Sequence, residues 1–119
     1  MPFDNNSPIC TDETLGTLIA VDTLLSDESK WCQGSAMKDD RVCIMGAAAI
    51  AFGAPPSQLV GKGDYPSADV AWRLFKLDEY LSNAFGLEAV STFNDSHSFN
   101  EVKELLAKSI ARRTAELLK

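Results

Sequence analysis

The chain has 119 residues, 45% of them hydrophobic, and a formal net charge of −6 at pH 7. That length suits one globular domain, in which about two thirds of the unfolded surface is buried on folding. The acidic balance argues against a general nucleic-acid binder, whose affinity comes from neutralising phosphates with Lys and Arg.

Residues 1 to 10 carry two prolines and two asparagines and read as a tail or lead-in. They show neither the basic nor the apolar region of a signal peptide, so a soluble cytoplasmic protein is expected. The charge is unevenly placed. Residues 1 to 40 hold eight acids against only Lys30 and Lys38, so the whole excess sits there. A solvated surface is the preferred reading, and steering of a basic partner the other.

Thr11 is placed to cap the first helix, with Asp12 and Glu13 in its first turn, where the helix dipole favours negative charge. Leu15, Leu18, Ile19, Val21 and Leu25 share one face at 100° per residue, which predicts a helix from Asp12 to Ser26. Asp22 points into that face and needs either water at its edge or a partner.

The stretch Trp31 to Gly53 is the most informative in the chain. An aromatic, polar, glycine-bearing loop runs into a segment that is apolar on every side, and a helix without a polar face should be enclosed. Asp39 or Asp40 is the expected cap, and Gly53 with Pro55 and Pro56 the end. Gly46 and four alanines make this helix thin, which suits close approach of neighbouring backbones.

Residues 54 to 65 form a loop, and a third helix starts at Pro66-Ser67. Val70, Leu74, Leu77, Leu81, Ala84 and Phe85 line its inner face, with Gly86 as terminator. Trp72, Phe75 and Tyr80 lie off that stripe and are expected to widen the buried face, an aromatic contact surface being the alternative. Leu87 to His97 reads as loop. Ser98-Phe99-Asn100-Glu101 is a capping box that opens the last helix, followed by Val102, Leu105, Leu106, Ile110 and Leu117. Arg113 falls in that stripe, so a frayed, solvated end or a pairing with Asp22 is expected.

Three segments together resemble a known family. Trp31-Cys32-Gln33-Gly34-Ser35-Ala36-Met37-Lys38-Asp39, Cys43-Ile44-Met45-Gly46-Ala47-Ala48, and Phe93-Asn94-Asp95 followed by Ser98 and Glu101-Val102 are similar to the domain of unknown function family 6197 of bacterial and phage proteins. Its pattern is Trp-x-Gln-Gly-Ala, Cys-Leu-Leu-Gly-Ala-Leu and Trp-Asn-Asp before a helix. Phe93 replaces the usual Trp, and the resemblance spans residues 12 to 112. It implies a small helical domain, often phage-borne, and no assigned activity.

The polar candidates are Trp31, Gln33, Asn94, Asp95 and His97. Structural roles are preferred for each: the indole packed on the thin helix, Asp95 bonding nearby backbone, His97 as a loop residue. The alternative is a pocket floored by Trp31 and edged by Asn94 and Asp95. Cys10, Cys32, Cys43 and His97 are zinc-type ligands without close pairs, so no metal is expected. An odd cysteine count without Cys-x-x-Cys fits a reducing compartment, and no adjacent base supports Cys32 as a nucleophile. There is no Walker A run or Gly-x-Gly-x-x-Gly, and Gly61-Lys62-Gly63 is too short for a phosphate cradle.

The expected fold is therefore all-α: one domain, residues 11–119, of four main helices with the Ala/Gly-rich helix at its centre. The expected function is a non-enzymatic protein-binding module without cofactor, and the resemblance to a phage-associated family extends this to a phage-borne modulator of a host defence system. Its partner would be a protein, a basic one being compatible with the charge, and no membrane; a homo-oligomer is compatible. The alternative is a small-ligand or enzymatic domain with its pocket near Trp31 and Asn94-Asp95.

Overall fold

The computed structural model describes residues 11–56, 59 and 67–119. The expected lead-in, most of the 54–65 loop and Pro66 lie outside those residues. The described part is mostly helical, with five α-helices and one two-stranded sheet, so the count of four main helices is corrected.

Helix α1 spans Glu13–Leu24. Its N-cap is Asp12, not Thr11: the Asp12 carboxylate accepts from the Leu15 amide at 2.8 Å. Leu15, Thr17, Leu18, Val21 and the following Leu25 are buried, whereas Ile19 is 48% exposed. The apolar spacing places Ile19 on the inner face, but the buried stripe centres on Leu18, Val21 and Leu25, and position 19 falls past its edge.

A short 3₁₀ turn, Glu28–Lys30, leads to Trp31, which forms a parallel bridge with Val42. Strands β1 (Met37–Lys38) and β2 (Arg41–Val42) pair antiparallel, Met37 opposite Val42 and Lys38 opposite Arg41. Asp39 and Asp40 are thus the two residues of a hairpin turn, Asp39 at φ 56°, rather than a helix cap. Aspartate serves both purposes, since it tolerates the left-handed conformation such turns need, and the acidic pair therefore mimics a helix start in the sequence.

Helix α2 spans Ile44–Ala51 and is capped by Cys43, whose Sγ accepts from the Gly46 amide at 3.3 Å. It packs against α1, β2, α3 (Ala68–Phe85) and α4 (Val90–Ser96), with Ile44, Gly46, Ala47, Ala48 and Ala49 buried. Ala51 at its end is exposed, so enclosure is not complete. The thinness has a specific cause at Gly46: a Cβ there would lie 2.0 Å from the Ala36 carbonyl oxygen. That carbonyl also accepts from the Cys43 amide at 3.2 Å, tying the loop to the helix start.

Helix α3 begins at the Ser67 cap, whose hydroxyl accepts from Val70 N, and ends at Gly86 with φ 66°. Val70, Leu74, Leu77 and Leu81 are buried as expected. The aromatics off that stripe divide. Tyr80 packs against the core, but Trp72 and Phe75 are 57% and 53% exposed, so the expectation that all three widen the buried face holds for Tyr80 alone.

Val90–Ser96, expected as loop, is helix α4. Its N-cap, Ala89, has no side chain to offer, and the first amide is satisfied instead by Asp78 of α3, whose Oδ1 accepts from Val90 N at 2.7 Å. A cap supplied from another element leaves no local signal. The capping box opens helix α5 (Phe99–Leu117) as expected. It lies along α1, and antiparallel register sets the ion pairs: Lys103 meets Asp22 at 2.6 Å and Arg113 meets Asp12 at 2.7 Å. The expected Arg113–Asp22 pairing and the frayed end are both replaced, because Arg113 reaches the start of α1 rather than its end.

Candidate functional site

The structure brings all five polar candidates to one corner, where the loop after Trp31 meets α4. Asn94 is fully buried and is its hub. Its Oδ1 accepts from the Trp31 indole N–H at 2.8 Å and from Ile44 N at 3.2 Å. Its Nδ2 donates to the Cys32 carbonyl and to Asp95 Oδ1, each at 3.0 Å. Two donors and two lone pairs are the whole capacity of an amide side chain, so nothing of Asn94 remains for a ligand.

Gln33 extends the same web. Its Nε2 donates to the carbonyls of Asn94 at 3.1 Å and His97 at 3.0 Å. Asp95 Oδ1 accepts from Gly34 N at 2.9 Å. Trp31 packs its ring against Phe99, with centroids 5.7 Å apart, and is buried rather than forming the floor of an open pocket. His97 stacks on Phe93 at 3.8 Å, and its Nδ1 lies 2.9 Å from the Phe93 carbonyl. The same Nδ1 lies 3.0 Å from the Ser96 hydroxyl, so both contacts of this nitrogen stay within the chain.

Open space lies on the far side of Asp95. A cavity of about 390 Å³ is bounded by the Gly34–Ala36 loop, Cys43 and Met45 at the start of α2, α3 and α4. Of the five polar candidates, Asp95 alone reaches it. Phe75, which the sequence offers only as part of an alternative aromatic contact surface, also lines it, as do Asp78 and Ser91, which the sequence does not single out as site residues. A signal for Asp78 is nevertheless there: it sits four residues after Leu74 and three before Leu81, an acid on the margin of an apolar stripe.

The cysteines in this region are not activated. Burial pushes the Cys43 thiol above its ordinary value, and burial likewise raises Cys32, so both are neutral thiols at pH 7. Among the described residues no group of three or more His, Cys, Asp or Glu is placed to hold a metal, and Cys10 of the four zinc-type residues lies outside them. No described helix is long and apolar enough to cross a membrane.

The chain belongs to the Family of unknown function (DUF6197), whose sequence model matches residues 10–112. That span includes the Asn94 corner and the cavity. No curated protein and no solved structure matches the chain.

Proposed function

We propose that this chain is a non-enzymatic module that binds a protein partner through the outer face of α3. The observation that carries this reading is the stacked pair Trp72 and Phe75, ring centroids 5.6 Å apart, both more than half exposed. Water-exposed aromatics of this size are the residue types that anchor protein interfaces, and Phe75 continues directly into the cavity wall. The Asn94 corner serves as the frame that holds the cavity's loop wall against α4.

A photo-reactive phenylalanine placed at position 72 in the native cell tests this. A discrete protein adduct, lost when Phe75→Ala is added, is the expected result; an adduct of twice the chain's mass would make the partner a second copy. Diffuse labelling indifferent to Phe75 would overturn the reading. The second reading, a small-molecule site, is favoured by the cavity volume, which falls in the range such sites occupy. It predicts binding that survives removal of Trp72, which lies outside the cavity wall, and is weakened by removal of Phe75, which lies in it.

A further inference from the structure

The geometry points to the partner's chemistry: the cavity beside Phe75 receives a cationic side chain, Lys or Arg, from an apolar segment that lies across the Trp72–Phe75 pair. This rests on the binding-module reading above.

Two carboxylates, Asp78 and Asp95, line the cavity, and no Lys or Arg among the described residues does. Neither acid takes part in an ion pair among those residues, although six other acids do. Each is held by one oxygen only. Asp78 Oδ1 accepts from Val90 N at 2.7 Å and from the Ser82 hydroxyl at 3.4 Å. Asp95 Oδ1 accepts from Gly34 N at 2.9 Å and Asn94 Nδ2 at 3.0 Å. The Oδ2 atoms have no hydrogen-bond partner among the described residues. Both carboxylates are thereby fixed in direction without being neutralised, which lowers the ordering cost of binding a cation.

The rest of the wall suits the stem of such a side chain. Ala36, Met45, Ala71, Leu74 and Phe75 are apolar, and Lys and Arg bury their methylenes along apolar surface while the head reaches a polar group. Because Phe75 belongs to both the cavity and the stacked pair, an apolar neighbour of the cation reaches Trp72 in the same segment. Among the described residues that line the cavity an anionic ligand would meet only negative side-chain charge; the cation nearby, Lys76, lies over the Trp72 ring instead.

The test is selection of random twelve-residue peptides on the full chain, in wild-type, Asp78→Asn/Asp95→Asn and Trp72→Ala/Phe75→Ala forms. Asparagine keeps each Oδ1 acceptor and removes the charge. Peptides selected by the wild type are expected to carry Lys or Arg beside an apolar residue. Replacing that residue in the peptide by citrulline or Nε-acetyl-lysine should weaken binding about tenfold to the wild type and leave binding to the double Asn variant unchanged. This second comparison probes charge without altering the wild-type fold. Selected peptides without basic enrichment, or equal binding of the neutralised peptide, overturn the inference. If those charge-indifferent peptides are nevertheless lost with Trp72→Ala/Phe75→Ala, the binding-module reading stands alone. If that variant binds every peptide as the wild type does, or the wild type selects nothing, both fall.

Discussion

Gly46→Ala isolates the contact on which the loop and the thin helix depend. The added Cβ would stand 2.0 Å from the Ala36 oxygen, 2.8 Å from its carbonyl carbon and 3.3 Å from its Cα, all backbone atoms. Ordinary contact needs more than about 3 Å, so the loop must retreat by roughly 1 Å or more, and with it the carbonyl that accepts from Cys43 N. Overpacking costs about 1–3 kcal/mol, with a clash against backbone toward the upper end, and Ala in a helix gains roughly 1 kcal/mol over Gly in return. Gly16, in α1, has nothing within 4 Å of its hypothetical Cβ and reads the propensity gain alone. At about 4 °C per kcal/mol for a domain of this size, Gly46→Ala should melt lower than wild type by roughly 4–8 °C and Gly16→Ala a few degrees higher. Thermal melts followed by circular dichroism measure both. A Gly46→Ala variant melting with or above the wild type would refute the close approach.

Asn94→Leu should cost on the order of 3 kcal/mol or more in denaturant titration, because the Trp31 indole N–H, Ile44 N and the Cys32 carbonyl all lose their partner in the interior. A loss under about 1 kcal/mol would mean that the corner is wet. Asp78→Ala should destabilise by about 1 kcal/mol and speed amide exchange at Val90, whereas Asp78→Asn, which keeps an acceptor, should do much less. The Arg113 guanidinium holds the Asp12 carboxyl below its ordinary range. That contribution is present above the unfolded carboxylate pKa and vanishes as pH falls through the lowered folded value, so the stability gap between wild type and Arg113→Met should be widest near neutrality and close in acid. A gap independent of pH would contradict the pairing. With Cys10 replaced by Ser, Cys43 should react with iodoacetamide far more slowly in the native protein than in urea, its thiol being buried and raised in pKa.

The helices legible in the sequence carry their own start signals or a clean apolar period. Ser98 with Glu101 specifies α5 within four residues, and the Val70, Leu74, Leu77, Leu81 spacing specifies α3. What is not legible depends on groups brought from elsewhere. Helix α4 is capped by an α3 side chain, and its Val90, Thr92 and Phe93 favour extended structure when read alone. The start of α2 is hidden because a thiol caps it, a weak acceptor not counted among capping residues, while two nearby aspartates offer a better local match. The exposure of Trp72 and Phe75 is undecided in the sequence for a different reason: periodicity says which residues lie off a stripe, and only packing says whether a neighbour covers them.

The family resemblance and the exposed aromatic pair of the proposed binding surface draw on different residues, and the division follows from the contacts. Trp31, Gln33, Gly34, Gly46, Asn94 and Asp95 carry the quoted motifs, and in the structure they hold one another: indole to amide, amide to carbonyl, carboxylate to backbone, and backbone against a missing Cβ. Residues so interlocked are constrained by the fold, whatever the chain binds. Trp72 and Phe75 belong to α3, stack on each other, and lie outside the motifs. Surface substitutions of that kind usually stay within about 0.5 kcal/mol of wild-type stability. Trp72→Ala/Phe75→Ala should therefore melt within a few degrees of wild type while losing the partner, and Asn94→Leu should lose both together. Asp95 is the charged residue common to the motifs and the cavity, whose wall also takes Gly34, Ala36 and Met45 from the motif segments; with one oxygen in the frame and the other without a partner among the described residues, Asp95→Asn is the substitution that separates holding the loop from recognising charge.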